Sequence, residues 1–165
     1  MSTLSKQQAR HILIRKLKAL SDHQYNTYSS LSFNNLVTTL RDLQNQRLLR
    51  NVLIYIAQKQ WREVDVSNLQ YIFTETSFDS VSFIPYAMFP NGKYDVVIAP
   101  LFGFNSEGYR LGHGGGWYDQ LFSDQEGAIK IGVGFECNHI AFDHENHDIP
   151  MDLIVTELNC ISINR

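Results

Sequence analysis

The sequence predicts a Rossmann-like three-layer α/β/α sandwich built on a largely parallel sheet. Three observations carry that prediction. Short, almost wholly apolar runs such as Val52–Ala57 and Asp95–Leu101 read as strands buried on both faces. Between them lie longer stretches in which apolar residues recur at helical spacing. The alternation of the two kinds of segment calls for parallel strands with helices covering both faces of the sheet.

Taken in order, the first segment is helical: Ala9, Leu13, Leu17 and Leu20 form one stripe, and Ser5 is placed to cap it. Asp22–Ser32 is polar and reads as a loop or a weak helix. Phe33–Leu49 reads as a second helix, with Leu36, Leu40, Leu43 and Leu48 as its apolar face. Strand Val52–Ala57 follows, then a helix around Val66–Thr74 and a strand at Val81–Pro85. Asp95–Leu101 leads into a glycine-rich loop and a short helix from about Gly116 to Phe122. Ile129–Phe135, Leu153–Thr156 and Cys160–Ile163 are the closing strands. No repeat, low-complexity tract or linker divides residues 1–165, so one domain is expected; at 165 residues it can bury a sizeable core.

Composition excludes several classes of function. The net charge of −3 and the lack of a basic stripe argue against a nucleic-acid partner, which requires clustered cations. No apolar run reaches the ~20 residues of a membrane span, and the first ten residues lack the apolar core of a signal peptide. Cys137 and Cys160 are too few for a disulfide framework. A cytoplasmic monomer acting on small molecules is the expectation.

The chemistry should sit beyond the carboxyl ends of the strands. There the sequence Arg110-Leu-Gly-His-Gly-Gly-Gly-Trp-Tyr-Asp119 places four glycines in five positions, immediately before a helix. Glycines let the backbone adopt positive φ and approach a ligand closely, and amides at a helix N-terminus make an anion cradle. Arg110 can add a phosphate contact, and Asp119 can hold Mg²⁺. The loop lacks the Gly-Lys-Ser/Thr ending of a Walker motif. Its glycines also follow a long loop, unlike the tight strand-to-helix turn of a dinucleotide fingerprint. On the first helix, Lys6 and Arg10 continue the stripe of Leu13 and Leu17 and so point inward, whereas Arg15 and Lys18 lie on the other side. In His139–Asp152, three histidines suggest zinc, but no thiolate is near and Pro150 breaks any helix. Asp148 suits the oxygen chemistry of magnesium better.

With these residues assembled, the chain resembles the 5-formyltetrahydrofolate cyclo-ligase (5,10-methenyltetrahydrofolate synthetase) family. Arg110–Asp119 is similar to its Arg-Leu-Gly-x-Gly-x-Gly-aromatic-Tyr-Asp signature, and Val97–Gly108 to the strand and turn before it. Gly132–Asn138, His147-Asp148 and Asp152–Glu157 are similar to elements that follow, in the same order. Lys6 and Arg10 match a lysine and arginine near the start, and Glu63-Val-Asp65 an acidic element after the first strand.

The resemblance implies a Mg²⁺-dependent ligase that uses ATP to close 5-formyltetrahydrofolate to 5,10-methenyltetrahydrofolate. It implies an ATP site of Lys6, Arg10, Arg110, Leu111, Gly112, His113, Gly114, Gly115, Gly116, Trp117 and Tyr118. The folate would meet Arg10, Glu63 or Asp65, and His113 through Trp117, and the metal would meet Asp119 and Asp148. An ATP-binding descendant without folate turnover is the alternative. The chain departs from the pattern at Asn105, Gly134 and Asn138. It departs also in the short connection Ala87–Tyr94, which implies a thinner folate wall and a raised KM.

Overall fold

A computed structural model describes residues 3–47, 49–73 and 78–164. Helix α1 (Lys6–Ala19) and helix α2 (Asp22–Gln46) open the chain, followed by β1 (Asn51–Tyr55), α3 (Leu69–Phe73) and β2 (Ser80–Ile84). Then come β3 (Val96–Pro100), a small hairpin of β4 (Gly103–Phe104) and β5 (Arg110–Leu111), and α4 (Trp117–Asp124). Strands β6 (Ile129–Val133), β7 (Leu153–Val155) and β8 (Cys160–Ser162) complete it. The main sheet runs β2-β1-β3-β6-β7-β8, parallel except for the last pair.

Two apolar layers lie against that sheet because successive side chains of a strand point to opposite faces. Val52, Ile54, Val96, Ile98, Ile131 and Val133 face α1, α2 and α3. Leu53, Val97, Ala99 and Ile154 face α4, which contributes Trp117, Tyr118, Leu121 and Phe122. The three-layer sandwich read from the alternation of segments is therefore the observed fold. The antiparallel β8 is an edge strand.

The largest difference from expectation is at Asp22–Ser32, which is the first part of the 25-residue helix α2 rather than a loop. Ser21 caps the helix in a reciprocal box with Gln24. The inward face of this stretch is polar, which hid its periodicity. Ser32 Oγ donates to the Gly134 carbonyl at 2.9 Å, and Ser29 Oγ accepts from the Asp65 amide at 3.0 Å. Tyr25 Oη donates to the Glu63 carbonyl at 2.8 Å. The first fastens α2 to the end of β6 and the other two to the segment that carries Glu63. Leu48 of the expected stripe and Thr74 of the third helix lie outside the described residues; α3 itself is a single short turn.

Two departures from the family pattern have structural work to do. Buried Asn105 accepts from the Glu107 and Tyr109 amides and donates to the Phe142 carbonyl, whereas a carboxylate could only accept. Buried Asn138 likewise accepts from the Phe135 amide and donates to the Phe102 carbonyl at 2.6 Å.

Candidate functional site

Strand β1 pairs with β2 on one side and β3 on the other, so the order of the sheet reverses there. Beyond the carboxyl ends of β1, β2 and β3 opens a cleft of about 470 Å³, the expected location of a ligand at such a switch point. Its lining brings together Lys6, Arg10, Glu63, the whole loop Arg110–Asp119 and Asp148. These are the residues nominated from the sequence, with one exception. Asp65 faces away, into a neighbouring groove. The carboxylate of Glu63 folds back onto the Gln58 amide and lines the cleft, whereas that of Asp65 is held by the Ser67 amide in the groove.

The glycine loop forms the floor. Gly114 has φ +102°, a left-handed conformation that L side chains rarely adopt, and Gly116 is the N-cap of α4. Beneath them, Arg110 donates Nε to the Pro100 carbonyl at 3.0 Å, and its guanidinium lies 4.2 Å from the Tyr118 ring centroid. Burial lowers its pKa, an effect opposed by nearby Tyr118 and Asp119. Arg110 thus shapes the loop from below as well as lending it charge. From α1, Arg10 Nε donates to the Gly112 carbonyl at 2.8 Å, so the inward orientation read from helical spacing holds.

Glu63 is buried, and its Oε2 accepts from the Gln58 amide at 2.7 Å. Its Oε1 lies 3.8 Å from His113 Nε2. Sequence reasoning missed the aromatic surroundings. The His113 ring packs against both Trp61, at 4.4 Å, and Phe102, at 4.8 Å. The short connection after β2 is not bare either: Tyr86 and Phe89 pack on Trp117 at 5.5 and 5.9 Å. Trp117 Nε1 is a buried donor with no partner among the described residues. Such a group costs about 1–3 kcal/mol when left unpaired.

At the other rim, Lys6 Nζ is 2.6 Å from Glu145 and 2.7 Å from Asp148. Glu145, His147 and Asp148 offer ligand atoms within 4.8 Å of one another, a spacing that can hold a metal ion. Asp119 lies outside that group, and its Oδ1 accepts from the Ile149 amide at 3.3 Å. Glu145 was missed because nothing in its local spacing marks it; the ion pair with Lys6 spans the length of the chain.

Burial works against charge on both Lys6 and Asp148, but their contacts prevail. The hydrogen bonds that Lys6 donates to Asp148 and Glu145 hold its amine above its ordinary 10.5. The Glu145 amide and Lys6 hold the Asp148 carboxyl below its ordinary 3.8. The raised Lys6 value contributes stability that is complete below 10.5 and lost as pH rises through the folded value. The lowered Asp148 value contributes stability that is complete above 3.8 and lost as pH falls through the folded value. Lys6→Met is therefore expected to lower stability by about 1–2 kcal/mol near neutral pH. It should also make the loss of stability below pH 3.8 shallower. Denaturant titrations at pH 3 to 7 check this, and identical acid limbs would exclude the coupling.

These features define a class: a Rossmann-like α/β fold with a glycine loop and helix N-terminus at the switch point, flanked by cations and one buried carboxylate. Within that class, the sequence model of the 5-formyltetrahydrofolate cyclo-ligase family matches residues 87–157. Two relatives named 5-formyltetrahydrofolate cyclo-ligase align over 70 residues. The one from Haemophilus influenzae is 31% identical, over 40% of this chain and 37% of its own length. The one from Mycoplasma pneumoniae is 34% identical, over 42% of this chain and 43% of its own length. The chain thus spans about two fifths of the curated relatives it matches.

The likeness in fold extends further. The solved 5,10-methenyltetrahydrofolate synthetase of Mycoplasma pneumoniae superimposes with a TM-score of 0.77 at 21% identity. The superposition covers 93% of this chain and 99% of that one. The synthetase from Aquifex aeolicus gives 0.70 at 23% identity, covering 97% and 93%. No helix among the described residues is long and apolar enough to cross a membrane.

Proposed function

We propose that the protein is an ATP- and Mg²⁺-dependent ligase that cyclises 5-formyltetrahydrofolate to 5,10-methenyltetrahydrofolate, releasing ADP and phosphate. The observation that carries this reading is the convergence of Lys6, Arg10, the glycine loop and the buried Glu63 carboxylate on one cleft. The family match covers the loop and the Asp148 segment of that cleft.

The reaction transfers the terminal phosphoryl group of ATP to the formyl oxygen. N10 then attacks the activated formyl carbon and loses its proton, and the C–O bond to phosphate breaks as the ring closes. Phosphoryl transfer depends chiefly on position and charge. The amides of Gly112–Gly116, with the α4 N-terminus, would hold the phosphate oxygens, and Arg10 and Lys6 would balance their charge. Glu63, anchored by the Gln58 amide, would accept N–H groups of the pterin and orient it. The oxygen-rich rim suits Mg²⁺: Asp148 and Glu145 would hold it from this side and Asp119 from the first turn of α4. The ion supplies charge neutralisation at the phosphates. Lys6 pairs with both carboxylates and lines the same cleft as the loop amides that would meet the nucleotide.

The deciding experiment is the absorbance assay for methenyltetrahydrofolate formation from 5-formyltetrahydrofolate, ATP and Mg²⁺. Turnover establishes the ligase; ATP binding without turnover at any folate concentration makes the protein a nucleotide-binding module. Lys6→Ala is expected to weaken ATP binding roughly tenfold or more, the usual cost of one charge-assisted contact. Lys18→Ala, at the other end of α1 and outside the cleft, should leave it unchanged. Equal effects in calorimetry would reduce α1 to a basic surface.

A further inference from the structure

The cyclisation step releases a proton that none of the residues discussed so far receives. N10 of the folate is a secondary amine, and on attacking the formyl carbon it becomes positively charged with its proton still attached. Only when that proton leaves can its electron pair return toward the carbon and drive out phosphate. The receiving group has to be uncharged or negative, and it has to lie between the phosphates and the pterin.

We propose that His113 is this general base, a further catalytic residue of the cyclo-ligase reaction on whose assignment the inference rests. The imidazole belongs to the loop whose amides would hold phosphate, and it lines the cleft. Its Nε2 faces Glu63 Oε1, from the carboxylate that would hold the pterin, at 3.8 Å. Arg10 borders the same turn: it donates to the Gly112 carbonyl at 2.8 Å and lies 3.7 Å from a Cβ built on Gly114. His113 thus stands between the cation set for the phosphates and the carboxylate set for the pterin. The formyl group that joins the two substrates would lie in the same interval. Trp61 and Phe102 pack on the ring at 4.4 and 4.8 Å, which holds its plane and keeps part of the solvent off.

Other titratable groups of the cleft are less suited. Burial holds the phenols of Tyr55 and Tyr118 above their ordinary range, so both keep their protons near neutral pH. Lys6 is held as a cation by Asp148 and Glu145, and an arginine carries its charge at any working pH. Glu145, His147 and Asp148 gather at the other rim. In the step itself, the N10–H bond breaks and its proton goes to Nδ1 of His113, the nitrogen that Glu63 does not face. The N10 electron pair forms the second bond to the formyl carbon, and the C–O bond breaks with its pair on the departing phosphate. Attraction from Glu63 favours the positive charge that arrives on the ring. The proton then passes to water.

The test follows a single turnover of the whole protein with ATP, Mg²⁺ and 5-formyltetrahydrofolate, reading ADP by rapid quench and methenyltetrahydrofolate by absorbance. His113→Gln keeps a polar side chain but cannot take up a proton. Its first equivalent of ADP is expected at the wild-type rate, because phosphoryl transfer precedes the base. Methenyltetrahydrofolate should form about a hundredfold more slowly than in the wild type, within the usual range of general-base catalysis. Equal slowing of both products, or of neither, overturns the base and leaves the ligase standing.

Chemical rescue separates a base from a packing residue. His113→Ala opens a space the size of one imidazole beside Trp61 and Phe102. Added imidazole should speed ring closure in that variant, in proportion to its neutral fraction as pH is varied, and leave the wild type unchanged. Slow ring closure that imidazole does not restore would give the ring a packing role and overturn the proposal. If the wild-type protein turns over no folate, the ligase reading itself fails, and the base falls with it.

Discussion

Gly114→Val is expected to weaken ATP binding by roughly fivefold to a hundredfold while the protein remains folded. The backbone there has φ +102°, and holding a β-branched residue in such a conformation costs about 1–3 kcal/mol. The loop relieves the strain by moving, which carries its amides away from the positions that would meet phosphate. Gly115 offers a second, mechanistically distinct probe. A Cβ built on it would meet Tyr86 Oη at 2.5 Å, closer than such atoms tolerate. Gly115→Ala should therefore weaken binding, and adding Tyr86→Phe should restore part of the loss by removing the oxygen in the way. Non-additivity of that kind reports direct contact between neighbours. Calorimetry giving wild-type affinity for both glycine variants would detach the loop from the nucleotide.

Glu63→Gln should separate folate recognition from ATP binding. The glutamine keeps an oxygen for the Gln58 amide, so the loop retains its shape, but the charge that would accept pterin N–H groups is lost. Hydrogen bonds to a charged group contribute about 1.5–3 kcal/mol, so kcat/KM for the folate should fall roughly tenfold to a hundredfold. Affinity for ATP should hold. Asp65→Asn serves as the control, because that side chain faces the adjoining groove. If it harms folate turnover as much as Glu63→Gln does, the assignment of Glu63 to the cleft chemistry is wrong.

The connection Ala87–Tyr94 shows how a length argument can mislead. Its shortness implies a thin folate wall, yet Tyr86 and Phe89 pack on Trp117 and Met88 is exposed beside them. A few bulky side chains can enclose as much space as a longer stretch of small ones. The steady-state KM for the folate measures which effect prevails.

Much of this molecule is decided by local pattern. The all-apolar runs became the buried strands β1 and β3, since a strand covered on both faces has no polar side to show. The four-residue spacing of Lys6 and Arg10 put both cations on the face that points inward. The crowding of glycines before Trp117 marked the loop, because few other residues allow those backbone angles. Pairing between distant segments is not written in any local period. The first half of α2 was unreadable because Ser29 and Ser32 bury their hydroxyls against the Asp65 amide and the Gly134 carbonyl, partners more than thirty residues away. Glu145 has meaning only because Lys6, at the start of the chain, reaches it. Glu63 and not Asp65 lines the cleft because their carboxylates are held by different backbone amides, those of Gln58 and Ser67. Local sequence determines the conformation each segment prefers, and the tertiary structure alone decides which polar groups end up within bonding distance.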